Sequence, residues 1–204
     1  MENKLIVTDI DGVCLNYLGS FIEWVDETHG WEVDPKSPCD TYCLSSWFLP
    51  NKGRKMGEAD FVGLIAEYNN YPRVLPPVEY SQKCLRLLRE GGYRIIALSS
   101  FGGCKLTQHF RRAYLNVVFG GIFDDIIILP LGACKRDKLK ELSPEYFVED
   151  CLAYAEQGVA LGIKTFLLRT TYNAGGEDII YVNNWNEILY IISELEGEKN
   201  YEQI

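Results

Sequence analysis

The sequence predicts an α/β protein: an open, doubly wound parallel sheet with a small helical lobe inserted after its first strand. Three observations predict it. From residue 78 onward, short apolar runs alternate with amphipathic stretches of helical period, the pattern of strands joined by helical crossovers. The first apolar run, Lys4 to Thr8, is short and uniform enough to be a strand covered on both faces. Residues 14–77 break the alternation, holding all but one of the four tryptophans together with several Pro and Gly.

Taken in order, Lys4 to Thr8 opens the sheet. Inside 14–77, runs at about 20–28 and 58–68 have helical period, and the chain rejoins the sheet near Pro76-Pro77. This divides the chain into a core of residues 1–13 and 78–204 and an inserted helical cap of residues 14–77. A helix over about 78–89 carries Cys84, Leu85, Leu87 and Leu88 on one side and stops at Gly91-Gly92. A Rossmann-like succession follows: strand 93–98, helix 105–114, strand 125–129, helix 136–142, strand 146–148, helix 151–158, strand 164–168, a short strand 179–182 and an amphipathic helix 185–195. The charged residues 196–204 are expected to fray.

Composition narrows the function. A chain of 204 residues with 47% apolar and 24% charged residues can bury a full core, which excludes disorder. A net charge of -9 argues against a nucleic-acid polymer as partner, although local Lys or Arg and a divalent cation still permit a small phosphorylated substrate. Seven cysteines, an odd number with no apolar leader, read as reduced thiols of a cytoplasmic protein. Cys39 and Cys43 have no second pair at zinc-ligand spacing and read as small thiols. No apolar run approaches the roughly 20 residues of a spanning helix, so no membrane partner is expected. A homo-oligomer is compatible with the sequence.

Polar residues collect where such a sheet binds ligands, beyond the carboxyl ends of strands where the crossovers reverse. Asp9 and Asp11 follow the first strand, with Gly12 close behind. Ser99 and Ser100 end RIIAL, Lys135 follows DIIILP, and Glu149 and Asp150 end YFV. Four carboxylates at one edge would repel or take up protons unless a cation sat among them, and an all-oxygen set suits Mg2+. The candidate metal set is therefore Asp9, Asp11, Glu149 and Asp150. Beside a metal, Asp9 can attack phosphorus and Asp11 can exchange protons with the leaving oxygen and the attacking water. Ser99 can donate to the phosphoryl group and Lys135 can neutralise its charge. Gly12 turns the backbone away from the space a phosphate needs.

These residues carry a resemblance. DIDGV, LSS, KRDKLKEL and FVEDC resemble, in order and strand-end position, the four motifs of the haloacid dehalogenase (HAD) superfamily, and together they span nearly the whole chain. The resemblance implies a magnesium-dependent phosphatase with Asp9 as nucleophile, Asp11 as acid and base, Glu149 and Asp150 on the metal, and a cap at residues 14–77. The layout DGV, helical insert, PPVEY, LSS, lysine, FVED and a late TYN is similar to the deoxyribonucleotidase-like 5'-nucleotidase branch. That similarity implies a nucleoside 5'-monophosphate, with cap aromatics such as Trp47 and Phe48 facing the base. Glu-Asp stands at residues 149–150 where that branch has Asp-Asp, and Cys14 replaces an aliphatic residue. The lysine is Lys135 or Lys138, with Lys135 favoured as nearer the strand end. The serine donor is Ser99 or Ser100, the other lining the substrate.

Other readings compete. A phosphotransferase or phosphomutase would use the same residues with water excluded. A silent phosphate-binding module would keep the pocket without turnover, but it has no use for an acid at Asp11. Singly, an acidic pair at a strand end caps a turn, and Glu149-Asp150 favours the next helix through its dipole, worth roughly 0.3–1 kcal/mol. Trp24, Trp31, Trp47 and Phe48 serve as core in a small lobe as readily as they stack on a base. His29 and His109 match no site, and Arg111, Arg112 and the basic run 52–55 read as solvated charge, with reach to a substrate phosphate or an acidic partner as the alternative.

Overall fold

The structure is a computed structural model that describes residues 4–34, 44–49 and 53–197. Cys39, Cys43, Lys52 and residues 198–204 lie outside the described residues. Six strands, β1 (Leu5–Thr8), β2 (Arg94–Ser99), β3 (Asp125–Ile128), β4 (Tyr146–Glu149), β5 (Lys164–Leu168) and β6 (Ile180–Val182), form one parallel sheet in the order β3-β2-β1-β4-β5-β6. Their helices are α1 (Tyr17–His29), α2 (Glu58–Asn69), α3 (Ser81–Glu90), α4 (Lys105–Val118), α5 (Arg136–Leu142), α6 (Leu152–Val159) and α7 (Trp185–Glu196). No helix of the described residues is long and apolar enough to cross a membrane.

Alternation along the strands explains why each reads as an unbroken apolar run. Ile6, Ile95, Ala97, Tyr146 and Val148 point into the larger core, while Leu5, Val7, Ile96, Leu98 and Phe147 fill a smaller one with Leu139 of α5. Successive side chains face opposite sides of the sheet, so a strand buried on both needs apolar residues at every position. α7 seals the larger face with Trp185, Ile188, Leu189 and Ile192, and Trp185 Nε1 donates to the Val13 carbonyl at 2.8 Å. That bond fixes the backbone just past the acidic pair.

Between β1 and α3 the described chain folds as α1, a 3₁₀ turn (Leu44–Trp47) and α2. Its two ends are tied together, Asn16 N donating to Pro76 O and Val78 N to Cys14 O, each at 2.8 Å. The Asn16 side chain caps α1 by accepting from Gly19 N at 3.2 Å, and Gly30 ends it in the left-handed region. Phe21, Val25, Phe48, Phe61 and Tyr68 join the larger core, continuous with that of the sheet. Most elements fall within two residues of their expected limits. The exceptions are α1, which begins three residues before the expected 20, α3, which begins three after the expected 78, and α4, which runs four past the expected Tyr114, its Leu115 fully buried on the inner face.

Candidate active site

The sheet order places the acidic residues. β1 is central: Thr8 lies beside Val148 on one side and Ala97 on the other, so Asp9 leaves the sheet level with Glu149 and one position short of Ser99. The crossovers reverse between β1 and β4, and Asp9 N donates to Val148 O across that gap at 2.9 Å. Asp9, Glu149 and Asp150 are buried, and each offers a carboxylate oxygen within 4.8 Å of the others.

Neighbours fix each carboxylate. Lys135, only 1% exposed, places Nζ 2.5 Å from both Asp9 Oδ1 and Glu149 Oε1. Glu149 Oε2 accepts the backbone N–H groups of Asp150 (2.8 Å) and Cys151 (3.1 Å) at the mouth of α6. Asp150 Oδ2 accepts Tyr172 Oη at 2.9 Å, and its carbonyl accepts Asn173 Nδ2 at 2.7 Å. Both Glu149 oxygens are thus engaged. Asp9 Oδ2 and Asp150 Oδ1 have no hydrogen-bond donor among the described residues. Gly12, at φ +90°, owes its identity to this crowding: a Cβ there would sit 2.2 Å from Asp150 Oδ2. It makes room for a carboxylate, where a phosphate had been expected.

Ionised together, three carboxylates against one lysine would leave two uncompensated negative charges in a buried volume, which one divalent cation neutralises. Burial pushes Asp9 up to about 8, with Lys135 opposing and Glu149 and Asp11 adding to the rise. Asp150 is raised by burial and then by Glu149 and Asp9. The all-oxygen donor set, its burial and its surplus charge fit magnesium. Folded Asp9 keeps a proton up to about pH 8 that an unfolded chain releases near the ordinary 3.8. Its contribution to stability is therefore full at low pH and is lost as pH rises through about 8. A cation competes with that proton. Magnesium should raise the melting temperature more above about pH 8 than near about pH 5.5, and calorimetric melting at both pH values checks it; an equal shift would place the metal elsewhere.

Asp11 stands apart from the other acids. Ser99 Oγ donates to its Oδ2 at 3.1 Å, and Arg111 pairs with its Oδ1. The Asp11 carboxylate engages Arg111 and Ser99, and the acidic cluster that could hold a metal among the described residues is Asp9, Glu149 and Asp150. Arg111 differs from expectation. It is 4% exposed and stacks 4.3 Å from the Phe101 ring, so it is a buried partner and no solvated charge. Thr107, Arg111 and Leu115 are the buried residues of α4, spaced by four. A charged residue on an inward helical face was the available signal. Of the two lysines, Lys135 enters the cluster, whereas Lys138 pairs with Glu141 at the surface. Ser100 Oγ turns away to Ala133 O at 2.8 Å.

A cavity of about 480 Å³ opens above these groups. Its floor is Asp9, Asp11, Ser99, Ser100, Lys135, Glu149 and Asp150; Tyr17, Phe61, Ile65, Phe101 and Leu131 form an apolar wall. Trp47 and Phe48 are not on that wall. Trp47 is 3% exposed, edge-on to Tyr172, and Phe48 packs on Phe21 and Phe61, because a small lobe needs its large aromatics as core. Trp47→Ala should therefore cost about 3–5 kcal/mol in chemical denaturation and leave KM unchanged. A KM change at full stability would return Trp47 to the substrate.

Several contributors were not assigned from sequence. Cys14 Sγ donates to Asp9 O at 3.2 Å beside Thr8 Oγ1 at 2.9 Å, which gives that cysteine a place. Tyr172 and Asn173, noted only as part of a layout, clamp Asp150. His29 packs edge-on to Trp24 at 5.0 Å and His109 is exposed; neither lines the cavity. Cys14, Cys84, Cys104, Cys134 and Cys151 are free thiols.

No profile of a known protein family matches the chain. The chain is 26% identical over 147 residues to an uncharacterized 32.4 kDa protein from the Gp30-rIII intergenic region of Enterobacteria phage T4; the match covers 70% of this chain and 51% of that protein. It thus spans about half the length of that relative. Among solved structures, a HAD-superfamily hydrolase from Ehrlichia chaffeensis is 15% identical, with a TM-score of 0.58 over 96% of this chain and 99% of the other. A D,D-heptose 1.7-bisphosphate phosphatase from B. bronchiseptica, complexed with magnesium and phosphate, is 13% identical, with a TM-score of 0.58 over 94% and 99%. An L-2-haloacid dehalogenase from Xanthobacter autotrophicus is 13% identical, with a TM-score of 0.56 over 93% and 98%. The chain has the fold of HAD-superfamily hydrolases, and at these identities the likeness is one of fold.

Proposed function

We propose that this protein is a magnesium-dependent phosphomonoesterase that works through an aspartyl-phosphate on Asp9, with a nucleoside 5'-monophosphate as substrate. One observation carries the reading: Asp9 is held at Oδ1 by Lys135, its Oδ2 has no donor among the described residues, and it stands on the cavity floor in a buried cluster of three acids. The fold is shared by a dehalogenase, so the fold does not choose between carbon and phosphorus. The residues do, because a neutral carbon centre has no need of a cation-binding acidic cluster beside the nucleophile. The phosphatase relative complexed with magnesium and phosphate supports the same choice.

Asp9 and Asp150 would hold the cation, with Glu149 fixing Lys135 and the turn into α6. When bound, the cation supplies positive charge to the phosphoryl oxygens and keeps Asp9 ionised. Asp9 Oδ2 attacks phosphorus while Lys135 Nζ orients its other oxygen. Asp11 gives its proton to the departing oxygen as that P–O bond breaks, then takes one from the water that attacks the Asp9-bound phosphoryl group. Ser99, on the cavity floor, can turn its hydroxyl from Asp11 Oδ2 to donate to the phosphoryl oxygens. The apolar wall of Tyr17, Phe61, Ile65 and Phe101 suits a flat heterocycle, and about 480 Å³ lies within the range of small-metabolite sites.

Phosphate release from 4-nitrophenyl phosphate and a panel of nucleoside monophosphates, with magnesium and with a chelator, tests the proposal. Metal-dependent turnover favouring a nucleotide supports it. Turnover unaffected by chelation overturns the metal, and no turnover on any substrate turns the reading toward a binding module.

A further inference from the structure

Resting on the phosphatase reading, we infer that Arg111 is a positioning residue for proton transfer at Asp11, fixing which carboxylate oxygen meets the leaving group. Arg111 engages Asp11 Oδ1 and is not part of the cavity wall, whereas Ser99, the partner of Oδ2, is. The guanidinium therefore holds Asp11 from the protein side. Oδ2 is the oxygen left facing the substrate.

Stability does not explain a guanidinium there. Arg111 occupies the inner face of α4 between Thr107 and Leu115, and Asp11 is its ion-pair partner among the described residues. Taking the Arg111 guanidinium out of water is costly, and an apolar residue of similar volume at such a place is often neutral or better. The surroundings also restrict the guanidinium's orientation. It stacks on Phe101, whose carbonyl accepts Asn69 Nδ2 at 2.9 Å, and Asn69 Oδ1 in turn accepts Tyr17 Oη at 2.8 Å. Asn69 and Tyr17 come from α2 and α1, so these two helices brace the frame that aims Asp11.

In the first half-reaction Asp9 Oδ2 bonds to phosphorus, the ester P–O bond breaks, and the proton on Asp11 passes to the departing oxygen. A nitrophenolate leaves well without that proton; an alkoxide does not. The ratio kcat/KM reports this half-reaction and is blind to later hydrolysis of the intermediate, provided that phosphoryl transfer is the first irreversible step.

The test compares kcat/KM for 4-nitrophenyl phosphate and benzyl phosphate, two ring-bearing monoesters of equal charge, on the wild-type protein, Arg111→Met and Arg111→Lys. Positioned acid catalysis is worth about 10²–10⁴-fold. Arg111→Met should lose about 10²-fold or more on benzyl phosphate and less than about tenfold on 4-nitrophenyl phosphate. Arg111→Lys, which keeps charge without the planar fork, should show the same bias to a smaller extent. Melting curves establish that each variant is folded, and where Arg111→Met is not, Arg111→Lys decides. Equal losses on the two esters, or no loss, overturn the inference while leaving an active phosphatase. A wild-type protein inactive on both esters and on nucleotides defeats the underlying reading instead, and the inference with it.

Discussion

Asp9→Asn lowers the rate of phosphate release by at least about 10⁴-fold and leaves the fold intact, if Asp9 is the group that attacks phosphorus. An amide is a poor nucleophile, whereas its oxygen still accepts from Lys135, so geometry survives while chemistry does not. The substitution also puts a neutral amide in place of a carboxyl that burial pushes up to about 8, so no charge has to form in the cluster at higher pH. Metal-free Asp9→Asn should therefore melt at the same temperature as wild type or higher, and bind magnesium more weakly. Stopped assays of phosphate release and calorimetric melting check both halves. Substantial residual turnover would mean that another residue attacks.

Lys135→Met has the largest expected effect on stability. Its ammonium is 1% exposed and is the cation shared by Asp9 and Glu149, and those carboxylates push its own pKa upward despite burial. Taking away one partner of a buried ion pair costs about 3–5 kcal/mol, because the remaining charges stay out of water uncompensated. Part of that loss should return with magnesium, which supplies positive charge to the same acidic cluster. Turnover should fall as well, since Lys135 orients the nucleophile. Lys138→Met, three residues on and paired with Glu141 at the surface, should change stability by less than about 0.5 kcal/mol. Denaturant melts of the two variants side by side would reveal a reversed order, which would exchange the roles of the two lysines.

The strands were legible because a sheet covered on both faces requires apolar residues at every position, as at Leu5, Ile6 and Val7. Asp9, Ser99, Lys135, Glu149 and Asp150 were legible because parallel strands end in register, so polar residues just past different strands must meet. What pairs across the sequence was not. Arg111 meets Asp11 over a hundred positions, and only the turn of α4 shows that it points inward. Tyr172 reaches Asp150 from a loop with no periodicity to read. The choice between core and ligand for Trp47 depends on where the insert folds back, which composition leaves open. A glycine just past the acidic pair signals a turn, but the group that excludes its Cβ is Asp150, 138 positions away in the chain.

Acid-quenching the protein during turnover of a 32P-labelled phosphomonoester in magnesium, then mapping the labelled peptide, tests the central claim most directly. An acid-stable, hydroxylamine-labile label on Asp9, absent from Asp9→Asn, is the expected result. Label on another residue, or turnover by a protein that never carries label, would contradict attack by Asp9.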